Sequence, residues 1–225
     1  MLLPAVLRQP TEPPALVACR PEVWLLTMQG MQGAGARAQA HEALRHLLSQ
    51  CLGVAPQQVP LVFRPGRAPA VAGRWQGLGL SVSMSYALGM AAIGLCAGAC
   101  LGIDLAVVAP LPDWEPVAQC YLGAQVARQL ALASPAQRDQ CFARAWAAME
   151  ARSKCLGMGL QEWSLARQQR LDTTALAWLP LAPGRLPEGT PPCVVALACT
   201  LHGPVERASI PPSASGAPAL PRCSG

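Results

Sequence analysis

The chain has 225 residues, 52% of them hydrophobic and 13% charged, which is ample for a folded core and excludes disorder of the whole. A net charge of +5, carried by Lys and Arg that are scattered rather than run together with aromatics, excludes a nucleic-acid groove and favours an acidic small molecule or acidic protein partner. Ten cysteines contain no C-x-x-C pair, and only three His could join them. They read as reduced core thiols of a cytoplasmic protein rather than as a zinc site or a disulfide framework.

In chain order, "MLLPAVLRQPTEPP" lacks a basic n-region and is broken by prolines, so it does not read as a signal peptide. Residues 34–52 set Ala40, Ala43, Leu44, Leu47, Leu48 and Cys51 on one stripe, with Arg37 and Arg45 toward the other side, which is an amphipathic helix. A short strand and a Pro/Gly-rich loop bearing Arg67 follow. The stretch from Trp75 to Ile103 is uncharged and carries Gly94, Gly98 and Gly102 at the spacing of a membrane helix-packing motif, so a membrane span is a rival there. Against it, Ser81, Ser83 and Ser85 alternate with Val82 and Met84, the period of a strand, and no Lys or Arg anchor follows until Arg128. Strands are expected at Gly79–Ser85, Met90–Cys96 and Leu101–Val108, with no membrane span.

Beyond a connector at Pro110–Pro116, helices are expected at Val117–Ala133 and Ser134–Leu156. The second has Ser134 as N-cap, Pro135 at the first helical position and a stop at Gly157. A strand pair follows at Thr173–Trp178 and Cys193–Leu201, and the tail from Ala208 has the composition of a disordered end. Helix followed by strands thus occurs twice. The expected fold class is α+β, built from duplicated halves over 1–109 and 110–207, with a tail at 208–225.

Lys154 is the sole lysine among the 17 Lys and Arg. Trp146, Glu150 and Lys154 fall four apart on one helix face, an arrangement equally suited to a surface ion pair worth a few tenths of a kcal/mol. Asp104 closes the apolar run "CLGID", where a strand carries a carboxylate out to its rim. An Asp and a Glu are hard oxygen ligands suited to Mg²⁺, which commonly binds one or two carboxylates plus phosphate oxygens and waters, and a nearby lysine would meet the phosphate charge.

"GID" at 102–104 followed by "WAAMEARSKCLGMGL" resembles the paired signature of the 4'-phosphopantetheinyl transferases, of the larger monomeric type that activates peptide and polyketide synthases. The match falls on Trp146, Glu150, Ala151, Lys154, Gly157, Gly159 and Leu160. "SMSYALGMAAIGL", "RAQAHEALRHLL", "RPGRAP" and "VVALAC" are similar to further family segments in the same order, over roughly residues 34–201. The resemblance implies a pseudo-twofold pair of halves with coenzyme A in the cleft between them. It implies Mg²⁺-dependent transfer of the 4'-phosphopantetheine arm from coenzyme A to a serine of an apo acyl- or peptidyl-carrier protein by a cytoplasmic monomer. Asp104 and Glu150 would be metal ligands, and Glu150 and Lys154 catalytic. Arg37, Arg45, Arg67, Ser85, Tyr86 and Lys154 would contact coenzyme A. The chain departs from the family at Ala106, where a second acid is usual, at Tyr86, where a His is usual, and at Met149, where many members have Lys. A catalytically weakened relative that binds coenzyme A or a carrier without transfer is the alternative.

Overall fold

The computed structural model describes residues 6–8, 11–28, 33–64, 67–181 and 192–201. The first four-stranded sheet contains β1 (Val6–Arg8) and β2 (Glu22–Thr27), then β5 (Leu80–Ala87) and β6 (Met90–Ala97), in the order β1-β2-β6-β5. Helix α1 (Gly33–Leu52) separates these pairs and is followed by the small hairpin of β3 (Leu61–Val62) and β4 (Ala70–Val71). The second sheet, β7-β9-β8, combines β7 (Ala99–Val107), β8 (Ala175–Leu179) and β9 (Cys193–Leu201). Four helices lie between β7 and β8: α2 (Trp114–Tyr121), α3 (Ala124–Ala131), α4 (Pro135–Cys155) and α5 (Leu165–Leu171). Apart from the parallel β1–β2 pair the ladders are antiparallel, which with these helices makes the fold α+β.

The expected amphipathic helix is α1, and its stripe of Ala40, Leu44, Leu47 and Leu48 packs on Trp24, Val82, Met84, Ile93 and Leu95. The opposite side of that sheet, through Val23 and Ala92, meets Leu101, Ile103 and Leu105 of β7 and Val195, Leu197 and Cys199 of β9. Alternation on β9 then turns Ala196 and Ala198 toward Ala147, Ala151 and Cys155 of α4. The uncharged run that rivalled a membrane span is thus a short 3-10 turn and three strands, and no helix among the described residues is long and apolar enough to cross a membrane.

Two local differences from the sequence expectation have physical causes. The helix expected over Val117–Ala133 is broken into α2 and α3 at Gly123, whose φ is +90°. A Cβ there would lie 2.7 Å from the Trp163 indole, so the break makes room for a ring brought in from beyond α4. Cys51, Cys96, Cys120, Cys141, Cys155 and Cys199 have free thiols, whereas Cys19 is disulfide-bonded. The capping expectation at α4 is met, with Ser134 N–H donating to Gln137 Oε1 at 3.4 Å and its hydroxyl donating to the same oxygen at 2.8 Å. The tail from Ala208 lies outside the described residues.

The two sheets are joined by side chains. The hydroxyls of Ser81, Ser83 and Ser85 on β5 accept the N–H groups of Leu101, Ile103 and Leu105 on β7, at 3.0, 2.9 and 3.1 Å. The residue numbers rise together, so the strands run parallel there. On the other face of β7, Gly102 lies against α4 so closely that a Cβ would collide with the backbone of Ala151 and Cys155.

Two stability predictions follow from these contacts. Gly102→Ala should lower the denaturant midpoint by the equivalent of about 1–3 kcal/mol, the usual cost of overpacking. Ser83→Ala strands the buried Ile103 N–H and should cost about 1–3 kcal/mol in the same measurement. A variant of wild-type stability in either case would show that the neighbouring backbone relaxes freely.

Candidate active site

Asp104 sits on the α4 side of β7 and is 7% exposed. Its Oδ1 accepts hydrogen bonds from Ser85 Oγ at 2.8 Å and from Lys154 Nζ at 2.7 Å, and Lys154 Nζ also donates to the Ile103 carbonyl at 3.2 Å. Ser85 is therefore a relay. Its hydroxyl accepts from Leu105 N–H and donates to Asp104. The lone lysine reaches β7 because Gly102, Ala147 and Ala151 let α4 settle close to the sheet.

The surface-pair geometry that helical spacing allows for Glu150 and Lys154 is not formed among the described residues, since the ammonium turns to Asp104. Glu150 is half-buried in the wall of a pocket of about 670 Å³. Burial pushes its carboxyl above the usual range; Lys154 draws it back, Asp104 pushes it up further and Arg167 draws it back. Trp146, one turn before Glu150, packs against Tyr121 and Phe142 with ring centroids 5.8 and 6.0 Å away, and so belongs to the helical core.

The pocket is lined by Arg37 and His41 from α1, by Phe63, Arg64 and Arg67 around the β3–β4 loop, and by Ser83, Met84 and Tyr86 from β5. On its other side stand Glu150 and Lys154 from α4 and the segment Gly157–Leu160. Arg67 bridges the two sides by donating to the Gly157 carbonyl at 3.2 Å. Arg37, Arg67, Tyr86, Glu150 and Lys154 are thus brought together. Arg45 is placed elsewhere: it donates to the Val59 carbonyl at 2.8 Å and pairs with Glu42 at 3.7 Å, holding α1 to the following turn. Ser85 and Asp104 stand behind Lys154, outside the lining. Burial raises the Tyr86 phenol pKa, with Arg37 opposing.

Sequence reasoning missed His41, Phe63, Arg64 and Arg167. His41 lies four residues after Arg37 and shares its helix face, a signal that was present. Nothing local marks Phe63, whose ring stacks on His41 at 3.8 Å with an interplanar angle of 20°. The imidazole pKa is lowered by burial and by Arg37 and Arg45, so a dense positive wall faces the two α4 side chains.

Asp104 and Glu150 have the chemistry of hard-cation ligands, and Asp104 Oδ2 accepts no hydrogen bond from the described residues. No group of three or more His, Cys, Asp or Glu among the described residues could hold a metal ion. A cation at the two carboxylates would need oxygen atoms from substrate or water to fill its shell, which suits Mg²⁺.

Residues 100–181 match the family model of the 4'-phosphopantetheinyl transferase superfamily. That segment includes β7 from Cys100 onward, α4, and with them Asp104, Glu150 and Lys154. Over 123 residues the chain is 30% identical to slr0495 of Synechocystis, provisionally named a 4'-phosphopantetheinyl transferase, covering 52% of this chain and 48% of that protein. It is 27% identical over 143 residues to the 4'-phosphopantetheinyl transferase HetI of Nostoc, covering 64% and 57%. The chain thus spans roughly half the length of these curated relatives. The resemblance to the 4'-phosphopantetheinyl transferase superfamily drawn from the motifs is borne out.

Because Asp104 anchors both Ser85 and Lys154, Asp104→Ala should cost about 1–3 kcal/mol of folding stability. Asp104→Asn, which keeps an acceptor oxygen, should cost less. Chemical denaturation of the pair checks this; equal stability of wild type and Asp104→Ala would show that the bond contributes nothing net.

Proposed function

We propose that the chain transfers the 4'-phosphopantetheine arm of coenzyme A to a serine of an apo acyl- or peptidyl-carrier protein, releasing adenosine 3',5'-bisphosphate, with Mg²⁺ as cofactor. One observation carries the reading: a carboxylate, the sole lysine and three arginines converge on one pocket, the combination a diphosphate needs. Asp104 and Glu150 would hold the metal, which when bound neutralises diphosphate charge and orients its oxygens. Lys154 would place a compact charge on a phosphate oxygen, and Arg37, Arg64 and Arg67 would hold the remaining phosphates. The His41–Phe63 stack offers the nucleobase an aromatic wall.

In the transfer step the carrier serine Oγ bonds to the phosphorus that bears the pantetheine arm. The bond from that phosphorus to the bridging oxygen breaks, and adenosine 3',5'-bisphosphate leaves with the electron pair. Glu150 would take the serine proton, directly or through a water.

The proposal includes duplicated halves at 1–109 and 110–207 with the pocket between them, supported by α1 and α4 each covering one sheet and contributing to one wall, while β7, which falls within 1–109, pairs into the second sheet. It also includes a monomeric, cytoplasmic protein; the free thiols of Cys51, Cys96, Cys120, Cys141, Cys155 and Cys199 support a reducing compartment and the Cys19 disulfide counts against it. A weakened relative that binds without transferring is favoured by one observation, the 2.7 Å bond that already sets Lys154 on Asp104.

The deciding experiment is incubation with coenzyme A, Mg²⁺ and a panel of apo carrier proteins, reading carrier mass. Mass gain by the phosphopantetheine arm is expected; binding of coenzyme A without mass gain for any carrier selects the weakened relative. Lys154→Arg, melting as wild type, should lose roughly a hundredfold in kcat/KM, because a wide planar fork misplaces the diphosphate by about an ångström. Carrier on-rates should fall as salt rises, since the enzyme is basic; an indifferent rate argues against charge-guided docking.

A further inference from the structure

Arg167, on α5, is 5% exposed. A guanidinium stays charged, and withdrawing it from water costs several kcal/mol unless it is paired. Yet no carboxylate stands within ion-pair distance of it among the described residues. Its hydrogen bonds go to neutral acceptors: Nη2 donates to Met149 Sδ at 2.9 Å and to Ser153 Oγ at 3.1 Å, and Nη1 donates to the Tyr121 carbonyl at 3.3 Å. Its buried Nε has no hydrogen-bond partner among the described residues. Burial lowers the guanidinium pKa, with Glu150 opposing. A charge kept under such conditions needs a reason other than stability.

Its acceptors supply one. Met149 and Ser153 are four apart and share one face of α4, and Glu150 and Lys154, each one residue later, share the neighbouring face. Arg167 grips the first pair while the second borders the pocket. The third acceptor belongs to the last residue of α2, beside Cys120, whose carbonyl accepts the Trp163 N–H at 2.7 Å. The start of α5 and the back of α4 are thereby tied to one fixed point.

We propose that Arg167 is a positioning residue for the transfer reaction: it clamps the 149/153 face of α4 from behind and so sets how the 150/154 pair enters the pocket. This rests on the transfer site proposed above. Arg167 is not among the described residues that line the pocket, so its loss should appear in kcat rather than in substrate affinity.

The test compares wild type with Arg167→Met, Arg167→Lys and Ser153→Ala, measuring kcat and KM for coenzyme A with an apo carrier, calorimetric binding of coenzyme A in metal-free buffer, and a thermal melt. Arg167→Met should bind coenzyme A within about threefold of wild type while kcat falls roughly ten- to a hundredfold, the scale of small misplacements. Arg167→Lys should recover little, because an ammonium cannot span the three acceptors that the fork reaches. Ser153→Ala, which removes one acceptor and no charge, should show a milder loss of kcat, several-fold, and decides the matter if the Arg167 variants fail to fold. A kcat within twofold of wild type in every folded variant, or losses that only track the fraction folded, overturns the clamp while leaving the transfer reading intact. A wild-type protein that transfers nothing to any carrier overturns both.

Discussion

The structure depends on three serine hydroxyls. Strand β7 has β9 on one side only, and its Leu101, Ile103 and Leu105 N–H groups would be stranded in the interior without Ser81, Ser83 and Ser85. Each unsatisfied donor would cost about 1–3 kcal/mol. A hydroxyl accepts one bond and donates another, so this seam can do what a backbone ladder cannot: Ser85 accepts from β7 and passes its own proton toward Asp104. The joint between the sheets and the first contact of the candidate site are one hydrogen-bond chain.

On the opposite side of β7 the constraint is size. Gly102, Ala147, Ala151, Ala196 and Ala198 leave α4 almost no side chain to ride over. Dispersion rewards such close approach, and it also brings the Lys154 ammonium to Asp104 and the Ile103 carbonyl. A larger residue in that layer would lift α4 and carry Lys154 away with it. Packing energetics and site geometry are therefore set by the same few atoms.

The pocket draws its cations from two sides: Arg37, Arg64 and Arg67 from α1 and the β3–β4 loop, Lys154 from α4. Among the described residues one carboxylate, Glu150, stands with them in the lining. Such a wall raises the local concentration of an anionic ligand and carries too few acids to satisfy itself. Behind it, Arg167 holds the helix that bears Glu150 and Lys154, and its hydrogen bonds among the described residues go to neutral acceptors.

Much of this was legible in the residues. Period-two alternation marked β5, a clean apolar stripe marked α1, and Ser134-Pro135 with Gly157 marked both ends of α4, because these signals are local and need no distant partner. Asp104, Glu150 and Lys154 stood out through residue type and spacing, and Arg37, Arg67 and Tyr86 were also named and lie in the pocket. Tertiary structure alone decided the rest: that Lys154 pairs with Asp104 rather than Glu150, that Arg45 props the chain at Val59, that Gly123 breaks a helix to admit Trp163, and that His41 meets Phe63. Helical and strand periods state which residues share a face. They leave open which element lies opposite that face, and a side chain as long as lysine or arginine takes its partner from whatever the packing brings within reach.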